Sequence, residues 1–131
     1  MANCNKHRMG ELYREFSIHI DRIKNSNLLI IVEGKKDRAA LEHFGITNTI
    51  ELSKKPLFQI IEDVAAKNKD CIILTDLDAK GRELYVKLSR GLSHLGVKID
   101  DSFRNFLRRE TQLRQIEGLR SYVEKLSKAK D

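Results

Sequence analysis

Three acids stand where apolar runs end. Leu28-Leu29-Ile30-Ile31-Val32 runs into Glu33-Gly34, and Cys71-Ile72-Ile73-Leu74-Thr75 runs into Asp76-Leu77-Asp78-Ala79-Lys80-Gly81. Short apolar runs bounded by turn residues read as buried strands. Open α/β sheets bind ligands at the carboxyl ends of their strands, so two such strands side by side would gather Glu33, Asp76 and Asp78 into one acidic pocket. That pocket is a magnesium site in outline, since Mg2+ is held by one or two carboxylates with waters and substrate phosphates completing its shell. Alternation along Asp76-Leu77-Asp78 turns both carboxylates to the mouth while Leu77 points inward. The other reading of these acids is helix capping, which Asp commonly does after a strand, but a cap needs one acid rather than three.

Cations surround the acids. Lys35 and Lys80 adjoin them, and from Lys80 to Lys98 the sequence holds Lys80, Arg82, Lys87, Arg90 and Lys98 against Glu83 alone. Carboxylates that bind metal, flanked by Lys and Arg, suit phosphodiesters, because metal and cations both neutralise phosphate charge. Lys35, Lys80 and Arg82 are therefore candidate phosphate contacts, with a solvated helix face as the alternative for each. Arg104, Arg108, Arg109, Arg114 and Arg120 form a basic C-terminal arm able to track a nucleic-acid backbone. Asp37 is as suited to capping the next helix as to metal binding through water. His43 and His94 fall at helix ends, where the helix dipole favours them. Tyr13, Tyr85 and Tyr122 fall on amphipathic helices and read as packing residues rather than nucleophiles.

The elements that position these residues alternate. Met9 to Lys24 is an amphipathic helix with Leu12, Phe16, Ile20 and Ile23 on one stripe, ended by Asn25-Ser26-Asn27. Strand Leu28 to Val32 follows, then Gly34 as a turn and a helix from about Lys36 to Phe44 with Ala40, Leu41 and Phe44 inward, stopped by Gly45. A strand at Thr49 to Leu52 leads through Pro56 to a helix whose face is Leu57, Ile60, Ile61 and Val64. Asn68 to Asp70 turns into strand Cys71 to Thr75. After the acidic loop, a helix from Gly81 to about His94 buries Leu84, Leu88, Leu92 and Leu95. Gly96 ends it, Val97 to Ile99 is a fourth strand, and Asp101 or Ser102 caps a helix carrying Phe103, Phe106 and Leu107. A last helix runs from Thr111 or Gln112 to Leu126, and Lys128 to Asp131 fray. Strand-helix alternation implies a mainly parallel four-stranded sheet covered on both faces.

The 131 residues, 40% hydrophobic and 34% charged, fit a single globular domain. No apolar stretch reaches the roughly 20 residues of a membrane helix, and Met1 to Lys6 lacks a signal-peptide core, so a cytoplasmic location is expected. Cys4 and Cys71 are too few for a disulfide framework, and Cys4-x-x-His7 has no second pair with which to bind zinc. A net charge of +6 and a pI of 9.4 favour polyanionic partners. Few aromatics point to backbone and shape recognition rather than base stacking.

Val32-Glu33-Gly34-Lys35-Lys36-Asp37 and Thr75-Asp76-Leu77-Asp78-Ala79-Lys80-Gly81 resemble the two signature motifs of the Toprim superfamily, in the right order and about forty residues apart. The resemblance spans a core of about residues 27–101, with the N-terminal helix 9–24 and C-terminal helices of about 102–127 outside it. It implies a compact, Rossmann-like α/β fold, one or two Mg2+ ions (or Mn2+) held by Glu33, Asp76 and Asp78, and Glu33 as metal ligand or general acid/base. The topoisomerases' tyrosine nucleophile domain and the primases' zinc-binding and helical domains have no counterpart here. The chain looks like a small stand-alone Toprim protein of archaeal type, whose nearest enzymatic analogy is a ribosomal RNA maturation nuclease.

Three functions fit these residues. The first is a magnesium-dependent nuclease acting on RNA or DNA. The second is a non-catalytic nucleic-acid-binding subunit of a replication, repair or RNA-processing complex, with a protein partner or a second copy of the chain. The third is an aspartyl phosphatase with Asp76 as nucleophile. Lys80 stands where that third family has Thr or Val, and Glu33-Gly34 would go unexplained.

Overall fold

The computed structural model describes residues 2–129, with side chains from His7 onward. The expected fraying of Lys128 to Asp131 falls partly outside this range, and so does the side chain of Cys4. The elements run α1 (Ala2–Ser26), β1 (Leu29–Val32), α2 (Lys35–Glu42), β2 (Thr49–Glu51), α3 (Leu57–Lys67), β3 (Asp70–Leu74), α4 (Ala79–His94), β4 (Lys98–Ile99), α5 (Ser102–Glu110) and α6 (Leu119–Ala129). Short 3-10 turns at Leu52–Lys54 and Ile116–Gly118 complete the set.

The fold is α/β, with an all-parallel sheet in the order β2-β1-β3-β4. Both central strands are buried nearly throughout because helices cover each face. Successive side chains point to opposite faces. Ile30, Val32, Ile72 and Leu74 enter one core with α1, α5 and α6, while Ile31, Cys71 and Ile73 enter a second core with Ile60 and Val64 of α3 and Leu88 and Leu92 of α4. The N-terminal stripe of Leu12, Phe16, Ile20 and Ile23 packs as the periodicity requires. Phe16 meets Phe44 and Phe103 edge-on, with centroids 5.4 and 5.6 Å apart.

Loop chemistry closes the elements where expected. Asn27 takes φ +58° after α1, and Gly45 and Gly96 take φ +84° and +87° after α2 and α4. Some expectations fail. Leu95, expected to be buried, is 49% exposed, because Gly96 turns the chain away there. The helix expected from Thr111 onward is absent over 111–115, and α6 starts only at Leu119. That non-helical stretch carries backbone groups outward, where they bond the acidic loop: Leu77 N–H donates to Arg114 O at 2.7 Å.

Candidate active site

The sheet order fixes the place of the chemistry. From β1 the chain steps to β2 on one side, then crosses to β3 on the other, so the switch point lies between the carboxyl ends of β1 and β3, where crevices form in such sheets. Val32 registers against Leu74, so Glu33 and the Thr75-Asp76 segment leave the sheet side by side. The contact is direct. Asp76 N–H donates to Glu33 Oε2 at 2.7 Å.

Each acid of the trio is held by one backbone N–H. Asp76 Oδ1 accepts from Ile116 N–H at 2.9 Å, and Asp78 Oδ1 accepts from Gly81 N–H at 2.8 Å. Asp78 is thus the N-cap of α4, so the capping alternative holds for this residue. Leu77 is buried between them, as its place in the alternation requires. Among the described residues no three His, Cys, Asp or Glu side chains form a ready-made metal cage. Glu33 and Asp76 are brought together, and Asp78 stands beside them at the helix start.

Burial comes first in the electrostatics of these acids, and the neighbouring charges add to it. Partial burial raises the proton affinity of Glu33, the charges of Asp76 and Asp78 raise it further, and the Asp76 N–H and Lys80 oppose. Asp76 is raised likewise by burial, then by Asp78 and Glu117, against the Ile116 N–H and Lys80. Lys80 therefore reaches both acids electrostatically, although its side chain is exposed. Lys35 and Arg82 are also exposed, on the first turns of α2 and α4.

Two acids join that the sequence did not rank. Asp37 is only 6% exposed, its Oδ2 accepting from Gly34 N–H at 3.1 Å, which settles its role as a capping residue of α2. Burial pushes its carboxyl up to about 6, with Asp76, Glu33 and Glu117 adding to the rise. Glu117 arrives from the segment before α6, and no local pattern could have placed it beside β3. Its neighbour Ile116 is fully buried and anchors that segment.

The glycines differ. Gly34 has φ −154°, ordinary extended backbone, and a Cβ there would meet nothing within 4 Å, so the tight turn expected of it is not what selects glycine. Gly81 is required by space, since a Cβ would lie 1.8 Å from Asp76 O. Thr75 Oγ1, fully buried, donates to Gly81 O at 2.7 Å and ties the two ends of the loop together.

Arg104 corrects the reading of a basic C-terminal arm. It is 5% exposed, donates from Nη2 to Asp76 O at 2.9 Å and lies with its guanidinium carbon 4.5 Å from the Tyr85 ring centroid. Its position three residues before Leu107, on the stripe with Phe103, was the available signal. Arg108, Arg109, Arg114 and Arg120 are exposed. Tyr13, Tyr85 and Tyr122 pack against the two cores. His94 is the last residue of α4 and His43 directly follows α2. A cleft of about 660 Å³ lies elsewhere, between β2 and α3, and none of the acidic trio lines it.

Comparison with known proteins agrees with this fold. The Toprim domain profile matches residues 28–102. A UPF0292 protein of Methanosarcina acetivorans is 35% identical over 119 residues, covering 88% of this chain and 83% of its own. A UPF0292 protein of Methanocaldococcus jannaschii is 38% identical over 100 residues, covering 73% and 78%. A solved structure from Aquifex aeolicus superposes with a TM-score of 0.71 at 36% identity, covering 77% of this chain and 94% of that one. No helix among the described residues is long and apolar enough to cross a membrane. The domain suggests metal-dependent, nucleic-acid-related function, and on the match across β1 to β4 the chain belongs to the Toprim domain family.

Proposed function

We propose that this protein performs magnesium-dependent phosphodiester chemistry on nucleic acid, as a small nuclease in RNA or DNA processing. The observation that carries the reading is the pairing at the switch point: Glu33 and Asp76 are locked together by a 2.7 Å hydrogen bond, and both hold protons more tightly than usual. Carboxylates partly buried, with further carboxylate charge beside them, form a site that a cation relieves.

The donor set fits a hard cation. Glu33, Asp76 and Asp78 offer only oxygens, which suits an ion that keeps waters and takes substrate phosphates as ligands. When bound, Mg2+ (one or two ions, or Mn2+) supplies charge neutralisation at the phosphate. Glu33 holds or moves the proton at an attacking or leaving oxygen, its Oε2 kept in place by the Asp76 N–H. Lys35, Lys80 and Arg82 contact substrate phosphates. The partner is nucleic acid read through its backbone, in the cytoplasm, with a further protein or a second copy as an added partner.

The non-catalytic alternative draws on Asp78, whose capping role gives it a structural reason to be there. Cleavage separates the two readings. Structured RNA, single-stranded DNA and duplex DNA are incubated with Mg2+ and wild type, Glu33→Gln or Asp76→Asn/Asp78→Asn protein. The glutamine can still accept the Asp76 N–H, so loss of about 10²- to 10⁴-fold in rate reports the missing carboxylate, as proton carrier or metal ligand, rather than unfolding. No wild-type cleavage, with magnesium-enhanced binding that the Asp substitutions abolish, establishes the binding module instead.

A further inference from the structure

Beside the acidic mouth, α4 and α5 place three arginines around one aromatic ring. Arg104 lies over Tyr85 at 4.5 Å. Arg82 is one helical turn before Tyr85 on α4, and Arg108 is one turn after Arg104 on α5, so both flank the stacked pair. Among the described residues none of the three has a carboxylate ion-pair partner, whereas Arg8, Arg22, Arg38 and Arg120 each have one. Arg108 donates to Asn105 Oδ1 at 3.4 Å.

Arg104 makes this cluster unusual. Its guanidinium is buried, its Nη2 is spent on Asp76 O, and its Nε is buried without a hydrogen-bond partner. A buried charge is costly unless an opposite charge stands near. Glu33 offsets part of this charge.

We infer that the Arg82–Tyr85–Arg104–Arg108 face is a phosphate subsite, holding the backbone of a nucleic-acid strand next to the phosphodiester presented to Glu33 and Asp76. This deepens the phosphodiester reading and rests on it. Exposed Arg82 and Arg108 make the contacts, and buried Arg104 supplies charge from beneath and holds the Asp76 carbonyl. The subsite extends past the domain match, since Arg104 and Arg108 lie beyond residue 102.

The test is the salt dependence of binding, measured in EDTA so that it stands apart from any metal-dependent turnover. Fluorescent single-stranded RNA and duplex DNA are titrated with wild type, Arg82→Gln, Arg108→Gln and Lys69→Gln. Lys69 is a charge-matched control at the opposite, amino end of β3, and circular dichroism checks that all fold. Each lost phosphate contact should weaken binding and lower the slope of log K against log salt by about 0.9 on duplex DNA or about 0.7 on the single strand. Reductions of this size for Arg82→Gln and Arg108→Gln, absent for Lys69→Gln, support the subsite even if wild type cleaves nothing. Unchanged slopes in the arginine variants, equal effects in the control, or no wild-type binding to either probe overturns it, even if magnesium-dependent cleavage is found.

Discussion

Removing one buried charge should make this protein more stable. Asp37 is 6% exposed, lies near Asp76, Glu33 and Glu117, and has its carboxyl pushed up from 3.8 to about 6. The folded state therefore binds its proton more tightly than the unfolded chain does. Stability from this group is fully present below 3.8 and is lost as pH rises through about 6. At 1.36 kcal/mol per pH unit, the gap amounts to about 3 kcal/mol at neutral pH. Asp37→Asn keeps an oxygen to accept the Gly34 N–H and removes the charge. Urea denaturation in EDTA, from about pH 4 to pH 8, should show the variant nearly equal to wild type at the acid end and about 3 kcal/mol more stable at pH 7 and above. A variant that is less stable at pH 7, or a difference that does not change with pH, refutes the argument.

Other substitutions test the loop. Asp78→Ala removes the α4 cap and should cost about 1 kcal/mol by thermal denaturation, whereas Asp78→Asn keeps a capping oxygen and should cost less than about 0.5 kcal/mol while still losing magnesium-dependent function. Gly81→Ala places a Cβ 1.8 Å from Asp76 O and should destabilise by about 3 kcal/mol or more, while Gly34→Ala, into open space, should be tolerated within about 1 kcal/mol in the same denaturation assay. Thr75→Val removes the 2.7 Å hydrogen bond to the Gly81 carbonyl, which stays in the α4 ladder, and should cost about 0.5 to 1.5 kcal/mol in urea.

The strands and the place of the acids were legible because continuous apolar runs such as Leu29–Val32 and Cys71–Leu74 fit a sheet covered on both faces. The helix stripes followed from period alone. Arg104 was misplaced because charge was weighed above position, although its spacing from Leu107 put it on the buried face. The stretch 111–115 carried ordinary helix formers, and what overrides them is a long-range bond from Leu77 to Arg114 that no local pattern records. Glu117 is the same kind of case. Gly81 and Gly34 looked equivalent in sequence, and only the approach of Asp76 O distinguishes them.

The central claim is that Glu33, Asp76 and Asp78 hold a divalent cation at the β1–β3 switch point. Titration of Mn2+ followed by electron paramagnetic resonance, with a short nucleic-acid strand present and Mg2+ as competitor, tests this most directly. The account predicts that wild type takes up one or two ions that Mg2+ displaces, and that Asp76→Asn/Asp78→Asn, still folded, takes up none. Equal uptake by the double variant, or no uptake by wild type, would contradict it.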